Sequence, residues 1–183
     1  MTRNYTLKDS MIESLKTMIN TNLKSIEHSI DEKFKRTYGN IRLNSDAVSV
    51  EINNIEKEAP FFDTTDEVAF FELREVNPQD EFVPYIPAEE KKVTDYNSKI
   101  NSIKILRDVI NIDNDAYIIN YDRAIVIELE NQKIVLSSRY YFDEDIFVSD
   151  NEDDVCPIDK VIDDWKCDEP NRKVIVDRTE IIL

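Results

Sequence analysis

One glycine, Gly39, serves a chain of 183 residues. Average chains hold about 7% glycine, so this scarcity removes whole classes of chemistry. A glycine-rich loop cradles phosphate because its backbone N–H groups are unshielded by side chains. Walker-type and dinucleotide-binding fingerprints are therefore absent. The sole histidine, His28, excludes zinc-protease motifs, multi-histidine metal sites and two-histidine iron triads. Cys156 and Cys167 are too few for a structural zinc site without histidine partners. No cofactor and no metal is expected.

The hydrophobic fraction of 41% supports a core despite 34% charged residues, so disorder throughout is not expected. A chain of this length buries roughly 70% of its unfolded surface and folds without a staple. No apolar run approaches the ~20 residues that a membrane-spanning helix needs. The start, MTRNYTLKDS, is polar with no apolar segment behind it, the pattern expected of a cytoplasmic protein. Free thiols follow from that expectation, while a Cys156–Cys167 bridge stays open if it fails. Frequent Asn and Ile with scarce Ala fit an AT-rich bacterial or phage genome.

The formal charge is −16, and it is unevenly placed. Residues 1–58 carry nine basic and nine acidic side chains, so the whole excess lies in 59–183. Within it, 143–169 holds twelve acids against Lys160 and Lys166. Such a chain repels phosphates and has no basic stripe, so neither nucleic acid nor an anionic membrane is an expected partner.

The fold class expected is α+β: a long N-terminal amphipathic helix, then a mostly antiparallel sheet with one or two short helices. Met11, Leu15, Met18, Ile19, Leu23, Ile26, Ile30 and Phe34 recur every three or four residues, which predicts a helix over 8–36. Thr6 or Asp9 offers its N-cap and Gly39 its left-handed stop. Three regions follow: 1–40 the helix, 41–98 mixed strands and a proline-containing loop, and 99–183 an acidic β-rich region, together one compact domain.

Ile41 and Leu43, then Val48, Val50 and Ile52, alternate on either side of a turn and predict a hairpin. Residues 53–67 read as irregular. Segment 66–76 suits a short helix, with Thr64 and Glu67 as a capping box, somewhat better than a strand. Pro78, Pro84 and Pro87 mark a loop. Arg123–Glu130 and Lys133–Phe142 form a hairpin around Asn131-Gln132, with Ile127, Leu129, Ile134 and Leu136 on one face and Glu130 opposite Lys133. A longer loop relieves the missing turn glycine. A short strand at 146–149, a helix near 159–165 and a strand over 173–182 close the chain.

Carboxylates are the abundant chemistry. Asp122, Glu128, Glu130 and Lys133 surround the second hairpin and suggest a carboxylate–metal phosphodiesterase, although their spacing misses the nuclease pattern. The bland alternative is a solvent-facing sheet with surface ion pairs. The runs from Asp150 and Asp113 lack the glycine of a calcium loop. His28, among polar neighbours, reads as a surface residue.

The segment 143–169 is the candidate interface. Tyr140, Tyr141, Asp143, Glu144, Asp145, Asp150, Glu152, Asp153, Asp154, Asp163, Asp164 and Trp165 combine acids with aromatic anchors. Opposite fields speed association. The leading expectation is a non-enzymatic acidic binding module for a cationic protein, in the manner of immunity or inhibitor proteins by charge logic alone. The phosphodiesterase is one alternative. A structural or assembly subunit oligomerising through residues 11–34 is another. Solubility charge around core aromatics is the reading against which all three stand.

Overall fold

A computed structural model describes residues 1–31, 33–61, 64–114, 116–166 and 170–183. Among the described residues strand accounts for 57% and helix for 13%, mostly antiparallel β with two short helices. This corrects the α+β expectation of a long N-terminal helix. The elements run β1 (Thr2–Tyr5), α1 (Asp9–Met18), β2 (Asn22–His28), β3 (Arg36–Tyr38), β4 (Asn40–Ser45), β5 (Ser49–Phe61) and β6 (Thr64–Val76). They continue with β7 (Lys92–Ile112), β8 (Tyr117–Leu129), β9 (Lys133–Ser137), β10 (Asp145–Ser149), α2 (Ile158–Lys166) and β11 (Val174–Ile182). Among the described residues no helix is long and apolar enough to cross a membrane.

The helix stops at Met18 for a local and a tertiary reason. Asn20 takes φ 67°, a left-handed conformation that asparagine tolerates and a helix does not. The flanking backbone is then captured by β7: Asn20 N–H donates to the Ile100 carbonyl, and Ile100 N–H donates to Thr21, both at 2.8 Å. The apolar stripe continues into β2 because of a β-bulge between Leu23 and Ser25. A bulge adds one residue to a strand, so Leu23 and Ile26, three apart, both point into the core. A bulged strand thus imitates helical spacing. Leu15, Met18, Leu23 and Ile26 are buried within the chain, whereas Phe34 at the end of the stripe is exposed.

Segment 66–76 is also strand. β6 pairs with β5 along thirteen residues, from Ser49 opposite Val76 to Phe61 opposite Thr64. That ladder overrides the capping signal at Thr64 and Glu67 and makes 53–61 regular. The β4–β5 hairpin forms with Ile41 opposite Ile52 and Leu43 opposite Val50. In the β8–β9 hairpin Glu128, not Glu130, faces Lys133, and Ile127 faces Ile134. The longer loop shifts the register by two, which leaves every side chain on its expected face. β7 and β8 join through Asp113 and Asn114, both at φ 54°.

The strands hydrogen-bond in the order β3-β10-β9-β8-β7-β2-β4-β5-β6, with β1 parallel to β8 and β11 antiparallel to β7. β7 links two halves: 92–99 pairs with β2, and 100–112 pairs with β8 and β11. The inner faces of both halves share one cluster that includes Leu43, Ile52 and Phe71 from one and Ile105, Ile127 and Leu136 from the other. Truncating one such Leu or Ile to Ala costs about 2–5 kcal/mol. On the far side of β8, Leu106, Ala124, Val126, Val135 and Val155 form a second layer, so this strand is buried on both faces. α2 packs against β11.

Gly39 caps no helix. It joins β3 to β4 at φ +73°, where an added Cβ lies 2.5 Å from Tyr85 Cβ.

Candidate functional site

The segment that follows β9 carries the first of the expected interface residues, and its aromatic part turns inward. Tyr141 is buried, with its ring 4.5 Å from Tyr121 and 5.0 Å from Trp165. Beneath them lies Arg123, the unmatched residue of a bulge at which Leu106 opposite Ala124 gives way to Arg107 opposite Asp122. Its guanidinium stacks on Tyr121 and Tyr141 and pairs with Asp108 at 2.9 Å. Arg178, opposite Asp108 on β11, completes a fork at 2.6 and 3.0 Å. Tyr141 and Trp165 therefore anchor the segment to the core, while Tyr140 stays exposed.

Residues 143–145 form an acidic turn held by backbone contacts. The buried Asn54 amide donates to the carbonyls of Asp143 and Asp145 at 2.9 and 3.1 Å. Glu144 accepts from Gly39 N–H through its carbonyl and from Glu56 N–H through Oε1, at 3.0 and 2.9 Å. Asp143 Oδ1 accepts from Asp145 N–H at 2.9 Å. Asp145 forms an ion pair with Arg36 of β3. Glu144 and Asp145 are buried, so part of the acidic count is structural.

These carboxylates meet others brought by the β5–β6 hairpin. Glu58 is directly opposite Glu67, and Asp66 precedes it. Like charges so placed destabilise a ladder. Partial burial and the negative charges of Glu144, Glu67, Asp143 and Asp66 push the Glu56 carboxyl up. Burial and Asp143 raise Asp145 to about 6 against the pull of Arg36. Among the described residues no ion pair reaches Glu56, Asp143 or Glu144.

Tyrosines edge the turn. The Glu144 carboxylate near the Tyr38 hydroxyl favours the neutral phenol and raises its pKa. Its ring lies 5.7 Å from that of the half-exposed Tyr85.

The remaining expected residues lie apart from this arrangement. Asp150, Asp153, Asp154 and Asp163 are exposed, and Asp154 accepts from the Ser149 hydroxyl. Glu152 bridges Lys104, at 2.7 Å, and Lys133. Asp164 pairs with Lys160 at 2.9 Å. Nearby is a shallow groove of about 400 Å³, lined by Ser102, Lys104, Glu128, Leu129, Glu180 and Ile182 among others.

The carboxylates of the alternative phosphodiesterase do not converge. Asp122 is fully buried, held by Arg107 at 2.6 and 3.1 Å and by Leu7 N–H at 2.7 Å. Glu128 pairs with Lys133 at 3.1 Å, and Glu130 is an exposed turn residue. Among the described residues no three His, Cys, Asp or Glu side chains are grouped to hold a metal. His28 is buried rather than on the surface; Nε2 lies 2.8 Å from Thr94 Oγ1, and Nδ1 accepts from Ile30 N–H. Cys156 is a free, buried thiol, and burial raises its pKa. Cys167, Asp168 and Glu169 lie outside the described residues, as does Asp115.

Sequence reasoning missed Glu56, Glu58, Asp66, Glu67, Tyr38 and Tyr85. The signal for the acids was the β5–β6 register, which a strand reading of 66–76 places Glu58 across from Glu67. No family model, curated protein or solved structure matches the chain.

Proposed function

We propose that the protein is a non-enzymatic binding module that engages a cationic partner protein through the acidic surface around residues 143–145. The observation that carries this reading is the gathering of Glu144, Glu67, Asp143 and Asp66 around Glu56, whose N–H donates to Glu144 Oε1 at 2.9 Å, with Glu58 opposite Glu67 on the same hairpin. Like charges held together, with Arg36 compensating Asp145 alone among them, keep a strong local field, and such a field steers an oppositely charged partner. The exposed Tyr140 and Tyr85 supply apolar contact at its margin.

The test is affinity capture from native lysate with washes at about 50 and 500 mM salt, which span strong and weak screening. Two triple variants accompany the wild type. One carries Glu58→Lys, Asp66→Lys and Glu67→Lys; the other carries Asp150→Lys, Asp153→Lys and Asp163→Lys. A basic protein retained at low salt, released at high salt and lost with the first triple alone supports the reading. Retention that survives the first triple, or that ignores salt, overturns it.

A further inference from the structure

We propose that Tyr38 and Tyr85 form the anchor of this surface, a seat for one arginine guanidinium of the cationic partner; the assignment rests on the reading above. A guanidinium stacks on an aromatic face while its N–H fork donates to carboxylates. Both requirements meet here. The two rings are 5.7 Å apart and inclined by 33°, and Tyr38 faces Asp145 in the β3–β10 ladder, one residue from Glu144.

The seat is built before any partner arrives. Tyr85 N–H donates to Asn40 Oδ1 at 2.9 Å, and Asn40 Nδ2 donates to the Val83 carbonyl at 3.0 Å. Gly39 leaves the space against which the Tyr85 side chain rests. Tyr38 is fixed by β3, where it pairs with Asp145 of β10. A fixed seat lowers the ordering cost of binding.

The same strand edge shows that its rings take cations. Arg36 and Lys33 lie 5.2 and 4.9 Å from the centre of the Phe34 ring. Arg36 and Tyr38 are two apart on β3 and share a side of it. Among the described residues no cation of the chain lies over the Tyr38 or Tyr85 ring. Tyr85 is exposed and Tyr38 partly so.

The experiment titrates labelled octa-arginine, with octa-lysine in parallel, into the full chain at about 50 mM salt and reads anisotropy. Tyr85→Phe keeps the ring; Tyr85→Leu keeps apolar bulk and removes the π-face. The expected result is unchanged affinity for the Phe variant and about fivefold or greater loss for the Leu variant. Octa-lysine binds more weakly than octa-arginine to the wild type and is less affected by either variant. An NMR titration of the wild type reads the same site without substitution, with amide shifts at Tyr38, Asn40 and Tyr85. If Tyr85→Leu binds like the wild type, or the shifts fall elsewhere, the anchor is overturned. If Asp66→Lys with Glu67→Lys still weakens binding in that case, the cationic-partner reading stands alone. If neither change has an effect, both fall.

Discussion

Arg42 sits directly opposite Glu51 in the β4–β5 ladder, its guanidinium 3.2 Å from the carboxylate and both side chains buried. The pair is the middle of a row. Glu27 faces Arg42 from β2, and Arg74 faces Glu51 from β6. Arg42 approaches Glu27 at 3.5 Å, and Arg74 approaches Glu51 at 2.8 Å. Signs alternate across four adjacent strands, on the face away from Ile41 and Leu43. Loop 77–91 covers the row: Arg42 donates to the carbonyls of Asp80 and Glu81 at 2.7 and 3.4 Å and lies over the Phe82 ring.

Removing Arg42 alone takes away the buried partner of Glu51 and leaves that carboxylate to the exposed Arg74. Arg42→Ala should cost about 3–5 kcal/mol in urea unfolding. It should also open loop 77–91 to limited proteolysis, because Asp80 and Glu81 lose their donor. Adding Glu51→Gln to Arg42→Ala should recover part of the loss, since a neutral amide is cheaper to bury than a carboxylate. A cost below about 1 kcal/mol for Arg42→Ala would place the row among solvated surface pairs.

Asp108 offers a ranking. It is fully buried and receives both Arg123 and Arg178. Asp108→Asn strands two guanidinium groups, one of them buried with it. Arg178→Gln leaves Arg123 in place and removes only the partner nearer to solvent. Chemical denaturation should therefore show the Asp108 variant losing several kcal/mol, with the Arg178 variant clearly milder. Equal losses would mean that Arg178, not Arg123, holds the cluster.

Much of the sheet was legible because strands with one buried face alternate. The β4–β5 and β8–β9 hairpins and the closing strand come from that pattern. The long helix came from the same arithmetic misapplied. Leu23 and Ile26 are three apart through a bulge, and a bulge has no signature in residue type. β6 was hidden for another reason: its strand state depends on thirteen cross-strand pairs, whereas the capping signal at Thr64 is local. The acidic turn was legible as charge but not as structure. A count of carboxylates does not record that Asn54, Gly39 and Arg36 bind the 143–145 segment. Nor does any local pattern bring Tyr38 to Tyr85, since they meet only through the fold.

Ser98 tests a small defect. Its hydroxyl is buried on β7 opposite Leu23, with no hydrogen-bond partner among the described residues. A buried donor without a partner carries its full desolvation cost. Ser98→Ala should therefore be neutral or stabilising by up to about 1 kcal/mol, read as a higher urea midpoint at unchanged slope. A clear loss of stability would show that the hydroxyl binds an internal water.

The acidic turn gives stability a pH dependence of unusual sign. Ordinary acidic groups lie near pH 3.9 when unfolded, and Asp145 is raised to about 6 in the fold. Between those values the folded protein holds a proton that the unfolded chain has released. Stability from this group is therefore complete below about pH 4 and is lost as pH rises through about 6. Glu56 is shifted in the same direction. Asp46 and Glu152 are shifted downward, by Lys24 and Asn22 for the first and by Lys104 and Lys133 for the second, and weaken the fold only at lower pH. The thermal midpoint should rise from pH 7.5 to 5.5, and this rise should shrink in Asp145→Asn. Identical pH profiles for the two proteins would remove Asp145 as the source.

Gly39 is held by conformation and by space at once. Its φ of +73° strains any residue with a Cβ, and the nearest atoms to such a Cβ are Tyr85 Cβ and Cγ, both at 2.5 Å. Gly39→Ala should therefore destabilise by more than the ~1 kcal/mol of a left-handed alanine alone. Tyr85→Ala should rescue it only in part, because Cγ and Cδ1 are removed and the Cβ at 2.5 Å remains. Tyr85→Gly should rescue the contact but not the backbone strain. Ranking the three by urea midpoint separates the two causes: Gly39→Ala lowest, Gly39→Ala with Tyr85→Ala above it, Gly39→Ala with Tyr85→Gly highest of the three and still below the wild type. If Tyr85→Ala restores the midpoint, the contact lies in the ring and not at Cβ, and the close approach of loop 77–91 to the β3–β4 junction is looser than the geometry states.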